Sequence, residues 1–176
     1  MIAEARWARH ASGVQQWMAV VLLLGLSGCA IPFIGGGDAI QTERFSVRVV
    51  GDANQSSPVP VEFILVRDPE LVEVVQGYTA GEWREGRAQF LRDNPGGVLT
   101  ERKEYVPGQV VSARPLPFDD RSGRALIVFA HYRSPGEHRA RVDHLSAFTL
   151  LLQRDEFEVL PGADASAGPA PEGGDG

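Results

Sequence analysis

Ala125-Leu126-Ile127-Val128-Phe129-Ala130 carries no polar side chain on either of its faces. Six residues fall short of an ordinary helix, and the β-branched and aromatic side chains suit a pleated backbone, so the stretch predicts a strand covered on both sides. Phe148-Thr149-Leu150-Leu151-Leu152 reads the same way, and strands of this kind belong mid-sheet rather than at an edge. Outward from these, Phe45, Val47 and Val49 alternate with Ser46 and Arg48, the period-two pattern of a half-buried strand. Val59, Val61, Phe63 and Leu65 form the inward face of a second strand. Further strands are predicted over residues 98–106, 109–116 after the Pro107-Gly108 turn, 125–132 and 145–153, with Phe157 and Val159 adding a short last one. Seven short strands with a helical excursion after the second predict a mainly β chain, a β-sandwich whose facing sheets bury the alternating apolar residues.

The excursion holds one or two short helices. Asp68-Pro69 is a helix start, an N-cap acceptor followed by a residue whose missing amide costs nothing there, and Gly77 ends the segment after Leu71, Val72, Val74 and Val75. Thr79 with Glu82 three residues on forms a capping box for a second helix, with Trp83, Phe90 and Leu91 as its buried stripe and Asn94-Pro95-Gly96-Gly97 as its end. Trp83 and Tyr78 are candidate partner-binding aromatics, but Trp83 shares a helical face with Phe90, Leu91 and the stem of Arg87, which favours a place in the core.

The two ends of the chain differ from this middle. Arg6, Arg9 and His10 precede an apolar run over residues 17–26, and small residues follow, the layout of an export signal. Ten apolar residues are half the roughly 20 a permanent membrane helix needs. Leu26-Ser27-Gly28-Cys29 resembles the lipobox of bacterial lipoproteins, so residues 1–28 are expected to be a lipoprotein signal peptide and Cys29 the acylated first residue of the mature chain. Cys29 is the sole cysteine; an exported thiol with no internal partner needs a chemical fate, and a covalent diacylglycerol and N-acyl lipid (palmitate) supply one. Ala30 after the cysteine resembles the pattern sent on to the outer membrane. Residues 29–43, with Gly35-Gly36-Gly37, form a tether, residues 44–160 the sandwich domain, and residues 161–176, half of them Gly or Pro, a disordered acidic tail.

Charge and motifs narrow the chemistry. The formal charge is −6, and loss of Glu4, Arg6 and Arg9 with the signal, a net +1, takes it to −7. Such a domain does not suit nucleic acid and gains nothing from anionic lipid, so attachment falls to acyl chains, of which more than one is needed. His131, His138 and His144, with Glu137 and Asp143 beside them, fit no metal-site spacing, and strand-end and loop histidines are the ordinary reading. No Gly-x-Ser-x-Gly elbow, Walker A loop or dinucleotide fingerprint occurs, and Asp119-Asp120 sits in a polar turn beside Arg121. The expectation is a protein that is not an enzyme, with no catalytic residues, no metal, no cofactor and no small-molecule substrate.

Taken in order, the residues resemble a family. The first strand, Asn54 before Pro58-Val59-Pro60-Val61, the Asp68-Pro69-Glu70-Leu71 helix start, Trp83, the Val106-Pro107-Gly108-Gln109 turn and Ala125 to Arg133 ahead of Gly136-Glu137-His138-Arg139 are similar to the TssJ lipoproteins of the Type VI secretion system. The resemblance implies a transthyretin-like β-sandwich with inserted helices, held at the periplasmic face of the outer membrane. It also implies a clamp role in the secretion membrane complex, gripping the periplasmic domain of the inner-membrane protein TssM through Asp52, Ala53, Asn54, Gln55, Ser56, Ser57 and Pro58. This loop is expected to be exposed, so that replacing residues 54–57 by Gly and Ser would leave the melting temperature within a few degrees. The competing readings are a lipoprotein of another envelope assembly, such as pilus or polysaccharide export, and a periplasmic metal-binding enzyme.

Overall fold

The computed structural model describes residues 40–120 and 122–163. The expected signal segment, Cys29, most of the tether, Arg121 and the tail beyond residue 163 lie outside the described residues. In chain order these run β1 (Arg44–Val49), β2 (Val59–Val66), α1 (Leu71–Gly77), α2 (Ala80–Asp93), β3 (Val98–Tyr105), β4 (Val110–Pro115), β5 (Ala125–Ala130), β6 (Arg139–Arg141), β7 (Ala147–Leu152) and β8 (Phe157–Pro161). The strands form two four-stranded sheets, ordered β4-β1-β7-β8 and β3-β2-β5-β6. Pairing is antiparallel throughout except between β1 and β7, which run parallel with Phe45 beside Phe148 and Val47 beside Leu150.

The fold class is as read from the sequence: mainly β, a sandwich, with two helices inserted after the second strand. Between the sheets lie Phe45, Val47, Val61, Phe63, Leu65, Leu126, Val128, Phe148, Leu150 and Leu152, all essentially without solvent contact. The Phe45 and Phe63 ring centroids are 4.8 Å apart across this core. The opposite face of the second sheet explains why β5 is apolar on both sides. Ile127 and Phe129 point away from the sandwich interior into a second core with Ile64, Val66, Val75, Trp83 and Phe90, so one strand serves two hydrophobic layers. Trp83 stacks on Phe129 at 5.7 Å with the rings 9° from parallel, which places it in the core as expected. Tyr78 is half-buried, its ring 6.0 Å from both Trp83 and Phe90.

β7 lies mid-sheet, but its outward face is closed partly by polar groups. The buried Thr149 hydroxyl donates to the Gly162 carbonyl at 2.8 Å, so the Ser46 hydroxyl, 2.7 Å away, must be the donor toward Thr149. Both helices form where predicted. α2 carries the full capping box, with the Glu82 amide donating to Thr79 Oγ1 at 3.2 Å and the Thr79 amide to Glu82 Oε2 at 2.8 Å, and ends at Asn94. α1 starts two residues later than the Asp68-Pro69 signal: Asp68 Oδ1 accepts from the Glu70 amide at 2.9 Å, and the turn it caps leads into the helix. One strand has no sequence signature. β6 is three residues long, two of them arginine, and follows β5 only because the intervening loop folds back to pair Val128 with Ala140.

Candidate functional site

Residues 51–58 join the two sheets, and their conformation is unusual. Asn54, Gln55 and Ser56 have φ of 47°, 57° and 60°, making Asn54–Ser56 a left-handed turn. Left-handed backbone costs a residue with a Cβ roughly 1–2 kcal/mol, least for Asn, so the turn persists only because its surroundings hold it. The Asn54 and Gln55 amides donate to the Gln153 and Arg154 carbonyls at 3.2 and 3.3 Å. The Asn54 side chain reaches two ways, donating through Nδ2 to the Pro58 carbonyl at 2.8 Å and accepting through Oδ1 from the Arg133 amide at 2.8 Å.

This corrects the expectation of a uniformly exposed loop. Ala53 and Asn54 are 0% and 4% exposed and lie within the protein rather than on its surface. Asp52, Gln55, Ser56 and Pro58 are exposed, and Ser57 is half-buried. The loop is a braced structure, and replacing residues 54–57 by Gly and Ser would remove the Asn54 contacts, so a larger fall in melting temperature is expected than for an exposed loop.

Two other loops complete this end of the sandwich. The Ser134 hydroxyl in the β5–β6 loop donates to the Asp155 carbonyl at 2.6 Å in the β7–β8 hairpin, and Arg154 faces Asp52 at 3.4 Å. His138 takes φ of 45°, donates through Nε2 to the Ser134 carbonyl at 3.0 Å and lies 4.9 Å from the Tyr132 ring. A Cβ on Gly136 would sit 2.7 Å from His138 Nε2, so glycine is what lets the ring fold back over its own loop. Asp155, Glu156, Glu137 and His138 help line a hollow of about 360 Å³ at this end. The surface is polar and cross-braced by hydrogen bonds between three loops.

Beneath α2 lies a buried charge. Glu62 on β2 is 1% exposed and accepts a hydrogen bond from Arg87 Nε, while Arg87 Nη2 donates to Thr100 Oγ1 at 2.7 Å. His131 Nε2 faces Glu62 Oε2 at 3.7 Å, beyond hydrogen-bond length, and the Trp83 indole N–H turns toward the same carboxylate without a bond. Burial pushes the Glu62 carboxyl up, but His131, Arg87 and Trp83 together outweigh it and hold it below the ordinary glutamate value. The arrangement is structural. It ties helix to sheet through one charge pair, and its signal was a glutamate on the helix-facing parity of β2 in register with Ile64 and Val66.

The three histidines go to different environments: His131 is buried, His138 half-buried and His144 exposed. Among the described residues no three His, Cys, Asp or Glu side chains are grouped to hold a metal ion. Asp120 is held below the usual aspartate range by the Ser122 amide and hydroxyl and then Arg67, as a solvated turn carboxylate would be. The bracing roles of Arg133, Ser134 and Asp155 escaped sequence reading, since each depends on loops brought together from distant parts of the chain.

No family model and no curated protein matches the chain. Among solved structures its fold is similar to that of the Type VI secretion lipoprotein TssJ1 from Pseudomonas aeruginosa, with TM-score 0.52 and 15% identity over 74% of this chain and 98% of that one. Serratia marcescens Lip, a membrane-bound component of the Type VI secretion system, aligns over 70% of this chain and 99% of its own with TM-score 0.48 and 12% identity. The likeness to TssJ1 is one of fold and spans nearly all of that protein.

Proposed function

We propose that the chain is a TssJ-type lipoprotein of a Type VI secretion membrane complex, anchored by acyl chains on Cys29 at the periplasmic face of the outer membrane. In this role it is a non-catalytic clamp: the lipid fixes one end, and the braced loop end of the sandwich grips the periplasmic domain of a TssM-like inner-membrane protein. What supports the reading is one coincidence, a lipobox at Cys29 ahead of a sandwich that shares its fold with TssJ1. The physics suits it. Two or more acyl chains hold a protein that one chain holds only marginally, and a platform already ordered before binding avoids the entropy cost of arranging its loops.

Within the loop, Gln55 and Ser56 are the candidate contacts because they are exposed at the tip of a turn whose buried half is fixed by Asn54. Gln55→Lys with Ser56→Lys tests this in the full chain. Stability should stay within about 0.5 kcal/mol, as for exposed positions generally, while capture of the inner-membrane partner from a detergent-solubilised envelope, read by mass spectrometry, should be lost. Undiminished capture would remove the loop assignment.

A further inference from the structure

Between the first turn of α2 and the β5–β6 loop lies a second hollow, of about 180 Å³, lined by Gly81, Arg84, His131, Arg133, Ser134 and His138 among others. We propose that it is a binding site for a single carboxylate, presented by an acidic side chain of the protein that docks on the adjoining loop end. The proposal rests on the docking role described above.

Several independent features converge there. No Asp or Glu lines the hollow, on a chain whose formal charge is −6. Arg84 and Arg133 are exposed, and among the described residues neither side chain has an ion pair or hydrogen bond, so both guanidinium groups are available. His131 also lines the hollow; its side chain is 2% exposed, its Nε2 faces Glu62 Oε2 at 3.7 Å, and neither ring nitrogen has a hydrogen-bond partner. A buried polar group left open in this way costs stability unless something else satisfies it.

The 14-residue α2 adds a backbone donor. In its first turn the Ala80 amide donates to the Glu137 carbonyl at 2.8 Å, the Glu82 amide to Thr79 Oγ1 and the Trp83 amide to the Thr79 carbonyl at 2.9 Å. The Gly81 amide alone in that turn has no acceptor among the described residues, and it borders the hollow. Gly81 carries no side chain to screen it, and helix N-terminal amides favour an anion. The carboxylates next in sequence to lining residues are engaged elsewhere: Glu82 accepts from Thr79, and Glu137 is turned to solvent beside Arg139 at 3.3 Å.

Charge selects the ligand class. Glu62 Oε2 lies 3.7 Å behind His131 and would penalise a doubly charged group, whereas one carboxylate matches the fork geometry of an arginine and a lone amide. Position selects the source. The wall includes Arg133, whose amide is bonded to Asn54, so a partner seated on the 51–58 turn has this hollow at its edge.

The test uses the full ¹⁵N-labelled chain in detergent micelles, titrated with sodium acetate against sodium chloride at constant ionic strength. Acetate should give saturable shifts at the Gly81 amide and the His131 ring, weakened about ten-fold or more in Arg84→Glu with Arg133→Glu, each arginine giving a charge-assisted contact. Sodium phosphate at the same ionic strength should bind more weakly than acetate. Shifts that stay linear, match chloride or survive the double substitution overturn the site, and tighter phosphate binding overturns its carboxylate class. Partner capture from the envelope should fall with the same substitutions. An intact acetate response with unaltered capture would overturn the partner-borne source and assign the hollow to a free carboxylate. Acetate binding by a chain that captures no partner at all would sustain the site and reject the docking role.

Discussion

Asn54→Ala measures how much the loop end depends on one side chain. The substitution deletes two 2.8 Å hydrogen bonds and leaves the Pro58 carbonyl and the Arg133 amide without their partner in a part-buried position. Each unmade bond there costs about 1 kcal/mol, and holding alanine at φ near 47° adds about 1 more, for a loss of about 3 kcal/mol. For a domain of this size that is a fall of roughly 10–15 °C in melting temperature. Asn54→Gly separates the parts: glycine adopts the left-handed region freely, so about 2 kcal/mol should be lost and the difference from alanine isolates backbone strain. Asn54→Asp should do no better than alanine, because it keeps an acceptor for Arg133 but sets an oxygen against the Pro58 carbonyl. Urea unfolding followed by fluorescence at pH 7, with the slope checked for constancy, gives the values. An alanine variant within about 0.5 kcal/mol of the natural chain, the range typical of exposed positions, would refute the claim that the Asn54 side chain ties the 51–58 turn to the β5–β6 loop.

Three further outcomes follow from the buried charge pair and the anchor. Arg87→Met keeps the packing stem but strands the Glu62 carboxylate, and should cost about 2 kcal/mol, less than the ~3–5 of a fully buried pair because Arg87 is 37% exposed to screening water. Glu62 is held below its ordinary value of 4.5, so its contribution is present above that pH and disappears as the pH falls through the lower folded value. The urea midpoint of the natural chain should therefore drop on acidification below about 4.5, and Glu62→Gln should flatten that drop; an unchanged slope would show that other carboxylates carry the acid sensitivity. Cys29→Ser should move the protein from the membrane fraction to the soluble one on ultracentrifugation, and retention in the pellet would show that acylation is not the anchor.

The strands with two apolar faces, the Thr79–Glu82 capping box and the Trp83 stripe were legible along the chain because each is a local pattern, of period two or 3.6, that any solvent-excluding fold must respect. The proposed lipobox is readable for a different reason: Leu26-Ser27-Gly28-Cys29 is a short contiguous stretch, and what is expected of it is chemical rather than conformational. β6 was not, since three residues, two of them arginine, carry no alternation and pair only because the 131–138 loop folds back. Nor was the character of the 51–58 loop. Gly51-Asp52-Ala53-Asn54-Gln55-Ser56-Ser57-Pro58 announces a turn, but that Ala53 and Asn54 are buried follows from carbonyls at Gln153 and Arg154 and an amide at Arg133, all at least 79 positions away. Local spacing dictates which backbone a segment prefers. Which loops meet, which amide stays open at Gly81 and which charge lies under α2 depend on long-range pairing of two sheets, and a single sequence holds no periodic trace of that.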